Sequence, residues 1–151
     1  MKLVVVPVVA GLVSGTLDLA YAFAAYALVG VAPIRILQSI ASGIQGRAAY
    51  EGGVGSAVLG AVAHYGIVVV MAAVFVLAWQ MLPLVRARPI LAGMIYGAGL
   101  FFVMNYVVVP LSNSPGTPPQ GWFWIGGLAV HILLVGGGIG AVVRATARTP
   151  A

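Results

Sequence analysis

Charged side chains are scarce in this sequence. Asp, Glu, Lys and Arg together make up 6% of its 151 residues, whereas hydrophobic residues make up 62%. A chain with so little polar surface, and with a mean hydropathy of +1.13, cannot cover itself with a water-soluble exterior. The composition predicts an integral membrane protein. It also leaves no room for a soluble catalytic domain, so any chemistry takes place within the membrane or in a partner.

Cysteine is absent altogether, which excludes a disulfide framework and a metal site built on thiolates. Familiar catalytic motifs are missing as well: there is no Gly-x-Ser-x-Gly elbow, no His-Glu-x-x-His pair and no phosphate-binding glycine loop. Of the two carboxylates, Glu51 falls in a loop and Asp18 stands alone, so no acid–base pair is indicated. The sequence therefore predicts no catalytic residue, and enzymatic activity is not expected.

Four long apolar runs take up most of the chain. Each is long enough for a helix that crosses a hydrocarbon core of about 30 Å, which needs about 20 residues. The predicted spans are residues 7–31, 54–82, 89–111 and 122–143. These runs predict an all-α membrane protein, a four-helix transmembrane bundle that forms a single domain over residues 1–151.

The first and third runs begin alike. Residues 7–15 (PVVAGLVSG) return as residues 89–97 (PILAGMIYG), with the proline, the alanine and both glycines identical. This similarity predicts two helical hairpins repeated in parallel, each entered at a proline, where a missing N–H is tolerated. The Gly-x-x-x-Gly spacing lets another helix approach closely. The predicted packing glycines are Gly11, Gly15, Gly93 and Gly97.

A different pattern fills residues 34–45, between the first two spans. Apolar residues recur there at helical spacing, and polar residues occupy the other positions. Such a pattern predicts a short amphipathic helix lying in the membrane surface, either a connector or a mobile lid over an outward-facing opening. The apolar set is Ile34, Leu37, Ile40, Ala41 and Ile44, and the polar set is Arg35, Gln38, Ser39, Ser42 and Gln45.

The net charge of +5 comes from basic residues scattered singly beside the ends of the apolar runs. That distribution indicates membrane topology and not a nucleic-acid surface. Arg35 and Arg47 lie on one side, offset by Glu51. The larger basic group lies on the other side and comprises Lys2, Arg86, Arg88, Arg144 and Arg148. The imbalance predicts both termini in the cytoplasm and a bacterial inner membrane. The expected partners are the lipid bilayer and other copies of the chain or a larger membrane complex.

Ionisable groups inside the spans are the candidates for function. At about 1.5 Å per residue, Asp18, His64 and His131 all fall near mid-membrane, and Asn105 lies somewhat nearer the outer surface. Asp18 shares a helix face with Gly11 and Gly15, so it points at a neighbouring helix. An aspartate at that depth requires a partner, and a histidine is the first candidate. We therefore expect a buried polar centre of Asp18, His64, His131 and, less directly, Asn105.

Several functions fit this set of residues. The leading interpretation is a structural or accessory bundle in which the polar centre fixes helix register and the protein acts through helix contacts. The alternatives are a small proton or solute transport protein using Asp18, His64 and His131, or a redox protein binding haem b between His64 and His131. A divalent metal held by Asp18, His64 and His131 is a further alternative. The primary expectation is that the protein binds no cofactor.

Three segments carry a resemblance to a known family: residues 36–43 (ILQSIASG), 50–53 (YEGG) and 105–112 (NYVVVPLS). With these motifs the chain resembles, over nearly its whole length, a family of four-span bacterial inner-membrane proteins of unknown function. The resemblance implies location and topology and no particular activity. It also implies that the amphipathic segment and the outer end of the third span have a role beyond connecting helices.

Overall fold

The computed structural model describes residues 2–147, and the side chains from Val4 onward. This part of the chain is helical and contains no strand. Four of its helices are long and apolar enough to cross a membrane, which confirms the all-helical prediction at that level. We number the helices α1 (Lys2–Ala27), α2 (Pro33–Gln45), α3 (Gly53–Met81), α4 (Pro83–Ala87), α5 (Pro89–Leu111) and α6 (Trp122–Ala147), with a 3₁₀ turn at Gly46–Tyr50.

Proline starts one of the two predicted hairpins but not the other. Pro89 is the first residue of α5 as expected, whereas α1 begins at Lys2 and contains Pro7. The helix tolerates Pro7 because only one backbone hydrogen bond is lost, near the helix end. At its other end α1 stops at Ala27, four residues before the predicted limit. Gly30 there adopts a positive φ of 76° and turns the chain toward α2.

The long helices pack in a definite order. The closest pairs are α1 with α3 and α5 with α6, and α1 also packs along α6. Their shared core consists of Val6, Ala10, Ala72, Phe75, Val76, Leu100, Val135, Ile139 and Val143. Many large apolar side chains point outward instead, among them Val62, Val70 and Ile95. An apolar exterior of this extent suits lipid and not water.

Glycines bring the paired helices into backbone contact. A Cβ added to Gly11 would lie 2.6 Å from the Cα of Val69 on α3. On α5, a Cβ at Gly93 would overlap the Gly136 carbonyl, and one at Gly97 would overlap the His131 carbonyl, both on α6. The two glycines of each Gly-x-x-x-Gly stretch thus face the next membrane-length helix along the chain, because Gly15 likewise faces α3.

Helix α2 forms where the sequence placed it, but part of its polar face is buried: Gln38 and Ser42 are buried, whereas Arg35, Ser39 and Gln45 are exposed. It packs along the first turns of α3, where Gly60 admits the Leu37 backbone. Gln38 and Ser42 are 3% and 0% exposed, whereas Ile44 is 57% exposed. The Gln38 side-chain amide donates to the Gly53 carbonyl over 3.1 Å. Gln38 and Ser42 therefore attach α2 to neighbouring segments, and periodicity alone could not distinguish these buried polar residues from the exposed ones.

Candidate functional site

A cavity of about 360 Å³ lies inside the bundle, and we call it the polar cavity. Asp18 of α1, His64 of α3, Asn105 of α5 and His131 of α6 all line it. Each membrane-length helix thus contributes one of the four polar residues singled out from the sequence. Further polar groups complete the wall nearer α2: Tyr26, Ser39, Tyr50, Ser112, Ser114 and Thr117.

Asp18 and His64 form the closest pair of ionisable groups in the polar cavity. The Oδ2 of Asp18 lies 4.0 Å from Nε2 of His64, and the side chains are 23% and 10% exposed. That separation is too long for a hydrogen bond, although it meets the distance expected of an ion pair if the imidazole is protonated. The two residues lie on neighbouring helices, α1 and α3.

The backbone of α1 also holds His64. Its Nε2 lies 3.0 Å from the Gly15 carbonyl oxygen, which can only accept, so Nε2 carries the proton. In the neutral ring Nδ1 is then the free acceptor. The approach depends on Gly15, because a Cβ there would sit 3.1 Å from the Tyr65 ring and 3.4 Å from His64 Nε2.

His131 opens a π-helical segment, His131–Gly136, in α6. Its Nδ1 donates to the Gly127 carbonyl over 2.9 Å, and the Phe101 ring packs edge-on at 5.4 Å. In a neutral ring this bond leaves Nε2 as an acceptor, and no residue of the described chain hydrogen-bonds to it. Single π turns inside α-helices occur frequently at functional sites.

Asn105 lies in the second π-helical segment, Met104–Val108 of α5. Its side-chain amide donates to the Phe101 carbonyl over 2.8 Å. A regular α-helical count puts Asn105 one stripe away from the face that carries Gly93 and Gly97. A π turn accommodates an extra residue and changes the direction of the side chains within it, and Asn105 lines the polar cavity.

The α2 end of the polar cavity is covered by two segments that hold each other. One is α2, and the other is the link between α5 and α6, residues 112–121. The Asn113 backbone N–H donates to the Gly43 carbonyl over 3.1 Å, and its side chain donates to the Ile44 carbonyl over 3.0 Å. Ser42 and Ser114 hydroxyls meet at 3.0 Å. We call these two segments the cap.

Polar residues at the α2 end of the polar cavity were the main omission of the reasoning from sequence. Ser39, Tyr50 and Ser112 line the polar cavity, yet polar residues in connecting segments are ordinarily assigned to solvent. A signal for them existed. The three segments singled out by their sequence motifs, residues 36–43, 50–53 and 105–112, each contain residues that line this cavity.

Helix α1 carries two buried hydroxyls, those of Ser14 and Tyr21. Within the described chain, Ser14 Oγ and Tyr21 OH have no hydrogen-bond partner. Ser14 packs against Gly138, where an added Cβ would lie 2.8 Å from its oxygen, and Tyr21 packs against Gly126. Both contacts join α1 to α6. Neither residue is among those that line the polar cavity.

The arrangement bears differently on the two cofactor hypotheses. Among residues 2–147, no three His, Asp or Glu side chains come together closely enough to hold a metal ion. For haem, His131 has the expected form of a ligand, because one ring nitrogen donates to a carbonyl and the other is available. His64 has the same form, because its Nε2–H donates to the Gly15 carbonyl and its Nδ1 is available.

Comparison of the chain with protein-family models, with curated proteins and with solved structures returned no match. Function is therefore argued from the chemistry of the site, since fold alone would not determine it.

Proposed function

We propose that this chain is a small multi-pass membrane transporter, in which a small polar solute occupies the polar cavity and the Asp18–His64 pair exchanges a coupled proton. One observation carries the proposal: all four membrane-length helices direct a polar side chain into the same cavity. Ionisable residues inside membrane segments typically face such cavities and mark solute or ion pathways. A volume of about 360 Å³ falls within the usual range for small-molecule sites, about 300–1,000 Å³.

The hydrogen bonds favour transport over a purely structural role. In a structural bundle, a polar centre that fixes the register of the helices would join side chains of different helices. His131 and Asn105 instead bond to carbonyls of their own helices, at Gly127 and Phe101. Their remaining polar atoms make no hydrogen bond to other described residues and are free to meet a solute. The accessory bundle remains the second interpretation. It is supported by the His64 bond to Gly15 and by side-chain bonds between helices outside the polar cavity, Thr16 with Tyr65 and Trp124 with Tyr106.

The polar cavity also supports the proposed internal repeat. Gly15 of α1 faces His64 of α3, and Gly97 of α5 faces the His131 backbone of α6. Each hairpin thus places the second glycine of its Gly-x-x-x-Gly stretch against the histidine of its second helix. In a parallel repeat the two histidines lie at equal depth about an axis normal to the membrane. A solute between them would contact both halves.

The test uses proteoliposomes that enclose a pH-sensitive dye. A panel of small polar compounds (polyols, amino acids, amines and carboxylic acids) is added outside, and the internal pH is followed. We expect at least one class to drive proton movement above the rate in protein-free vesicles. Asp18→Asn should reduce that rate to background, because the amide keeps the shape and cannot exchange a proton. Glu51→Gln, which removes the other carboxylate of the chain, is the matched control and should retain transport.

Two outcomes would contradict the proposal. Equal rates with and without protein for the whole panel would return the accessory bundle to first place, provided that the reconstituted protein is folded. A rate unchanged by Asp18→Asn would remove the proton-exchanging pair. The same preparation tests the haem alternative: a Soret absorption band that is lost in His131→Ala would establish haem b, and a colourless protein would exclude it.

A further inference from the structure

A second cavity, which we call the basic cavity, lies at the opposite end of the bundle from the cap. Its volume is about 640 Å³, and it forms where α3 ends, α4 turns and the beginning of α5 meets the end of α6. Arg86, Arg88 and Arg144 line it together with Trp79, and all three arginines are exposed. Sequence separation hid this convergence, because Arg144 is more than fifty residues from the other two.

No carboxylate side chain balances these three charges. The chain contains only Asp18 and Glu51; Asp18 lines the polar cavity, and Glu51 precedes the start of α3, at the cap end. Arg86 donates one hydrogen bond to the Gln80 carbonyl, which leaves its other N–H groups available. Three guanidinium groups around one concave space repel one another, so an anion that bridges them would stabilise the arrangement. Phosphate is one of the anions that the planar, multi-donor guanidinium binds in bidentate geometry.

The remaining walls of the basic cavity are apolar. Ile90, Leu91 and Met94 of α5 line it, and Leu91 is 48% exposed toward the outside of the bundle. A ligand that extends past the arginines would therefore contact these apolar side chains. The cavity lies just beyond Met81, the last residue of the membrane-length helix α3, which is the level of lipid headgroups. A soluble phosphate would use only the arginines, whereas a phospholipid would use both walls.

We propose that the basic cavity binds the phosphate of an anionic phospholipid, with Arg86, Arg88 and Arg144 around the headgroup and an acyl chain along Leu91 and Met94. Basic pockets between membrane helices bind such headgroups in general. This site is separate from the polar cavity. The bound phosphate would connect the α4 turn to α6, as a salt bridge between two side chains would.

Lipid binding can be counted by native mass spectrometry of the protein in mild detergent, titrated with phosphatidylglycerol or phosphatidylcholine of identical chains. We expect one phosphatidylglycerol to bind at least tenfold more tightly than phosphatidylcholine. Attraction of a basic residue to an anionic surface corresponds to a factor of about five in affinity. Arg144→Gln and Arg88→Gln should each weaken phosphatidylglycerol binding by about that factor and leave phosphatidylcholine unchanged. Arg47→Gln is the matched control, because this exposed arginine lies in the 3₁₀ turn at the cap end.

A competition arm separates the two sources of phosphate. If millimolar inorganic phosphate binds the arginines while the two lipids bind equally, the site is a phosphate site for a soluble anion and the lipid assignment is wrong. Equal binding of both lipids without any effect of phosphate would overturn the proposal altogether. So would an equal loss in Arg47→Gln and Arg144→Gln, since binding would then follow total charge. Melting temperatures of all variants show whether each remains folded.

Discussion

At the scale of single residues, His64 shows what a sequence can and cannot reveal. Ionisable residues are so rare in these spans that Asp18, His64 and His131 could be singled out directly, and all three line one cavity. The partner of His64 could not be predicted, because the ring bonds to a backbone carbonyl at Gly15. Every residue has such a carbonyl. Only the helix packing selects this one, and that packing depends on a missing Cβ.

The glycine contacts lead to a prediction at this scale. Gly97→Ala should destabilise the bundle by about 1–3 kcal/mol, the usual effect of overpacking. Its added methyl group would overlap the His131 carbonyl and lie 3.0 Å from the Gly136 Cα, so α5 and α6 must separate. Backbone atoms cannot move aside as a flexible side chain can. Thermal or denaturant unfolding in detergent, followed by circular dichroism, measures the loss.

Gly99→Ala is the matched control for Gly97→Ala. It lies on the same helix, and an added Cβ meets no atom within 4 Å. Alanine favours a helix over glycine by about 1 kcal/mol, so Gly99→Ala should leave stability unchanged or raise it. Equal destabilisation by both substitutions would show that α5 and α6 do not pack through Gly97.

At the scale of helices, patterns of hydrophobicity located the elements better than they oriented them. The third span was predicted at residues 89–111, and α5 runs from Pro89 to Leu111. Helix α2 was predicted in place, yet its buried residues include Gln38 and Ser42. Periodicity distinguishes two faces of a helix. It does not tell whether the polar face meets water or the carbonyls and hydroxyls of neighbouring segments.

Cysteine accessibility tests whether the polar cavity contains water. Because the chain has no cysteine, each single-cysteine variant can be labelled without background. Asn105→Cys should react with a small water-soluble thiosulfonate reagent in intact membranes, because the site lines the cavity. A thiol in an apolar environment stays protonated and unreactive, so Val103→Cys, on the lipid-facing side of the same helix, should react at least tenfold more slowly. Alkylation followed by mass measurement gives both rates.

The cap adds a second comparison to this experiment. If α2 and the 112–121 link close the cavity, a bulky maleimide should label Asn105→Cys more slowly than the small reagent does, whereas exposed Arg47→Cys should react with both alike. Equal labelling of Asn105→Cys and Val103→Cys by the small reagent would mean that the polar cavity is not a water-filled site. The proposed solute path would then be wrong.

At the scale of the whole molecule, the two ends of the bundle differ in charge and in construction. The cap end carries Arg35, Arg47 and Glu51, and Arg35 is held by the Tyr50 carbonyl at 2.8 Å. The other end carries the arginines of the basic cavity. The sequence indicated this division through the positions of basic residues. It could not indicate that α1 would pack along α6, because that contact joins the first and last membrane-length helices and follows from packing alone.

The charge difference predicts the orientation of the whole bundle. Basic residues near helix ends remain on the cytoplasmic side, and four crossings return the chain to the side where it began. A fluorescent protein that folds only in the cytoplasm should therefore be bright when fused after Ala151. Alkaline phosphatase, which is active only outside the cytoplasm, should be active when inserted at Gly116 in the link and inactive after Ala151. The reverse result would place the cap in the cytoplasm, so that solutes would reach the Asp18–His64 pair from inside the cell.

Charge substitutions test the cause of this orientation. Arg86→Glu together with Arg88→Glu should weaken the preference for cytoplasmic termini, because these changes reduce the difference in charge between the two ends. Arg35→Glu should strengthen that preference, because it increases the difference.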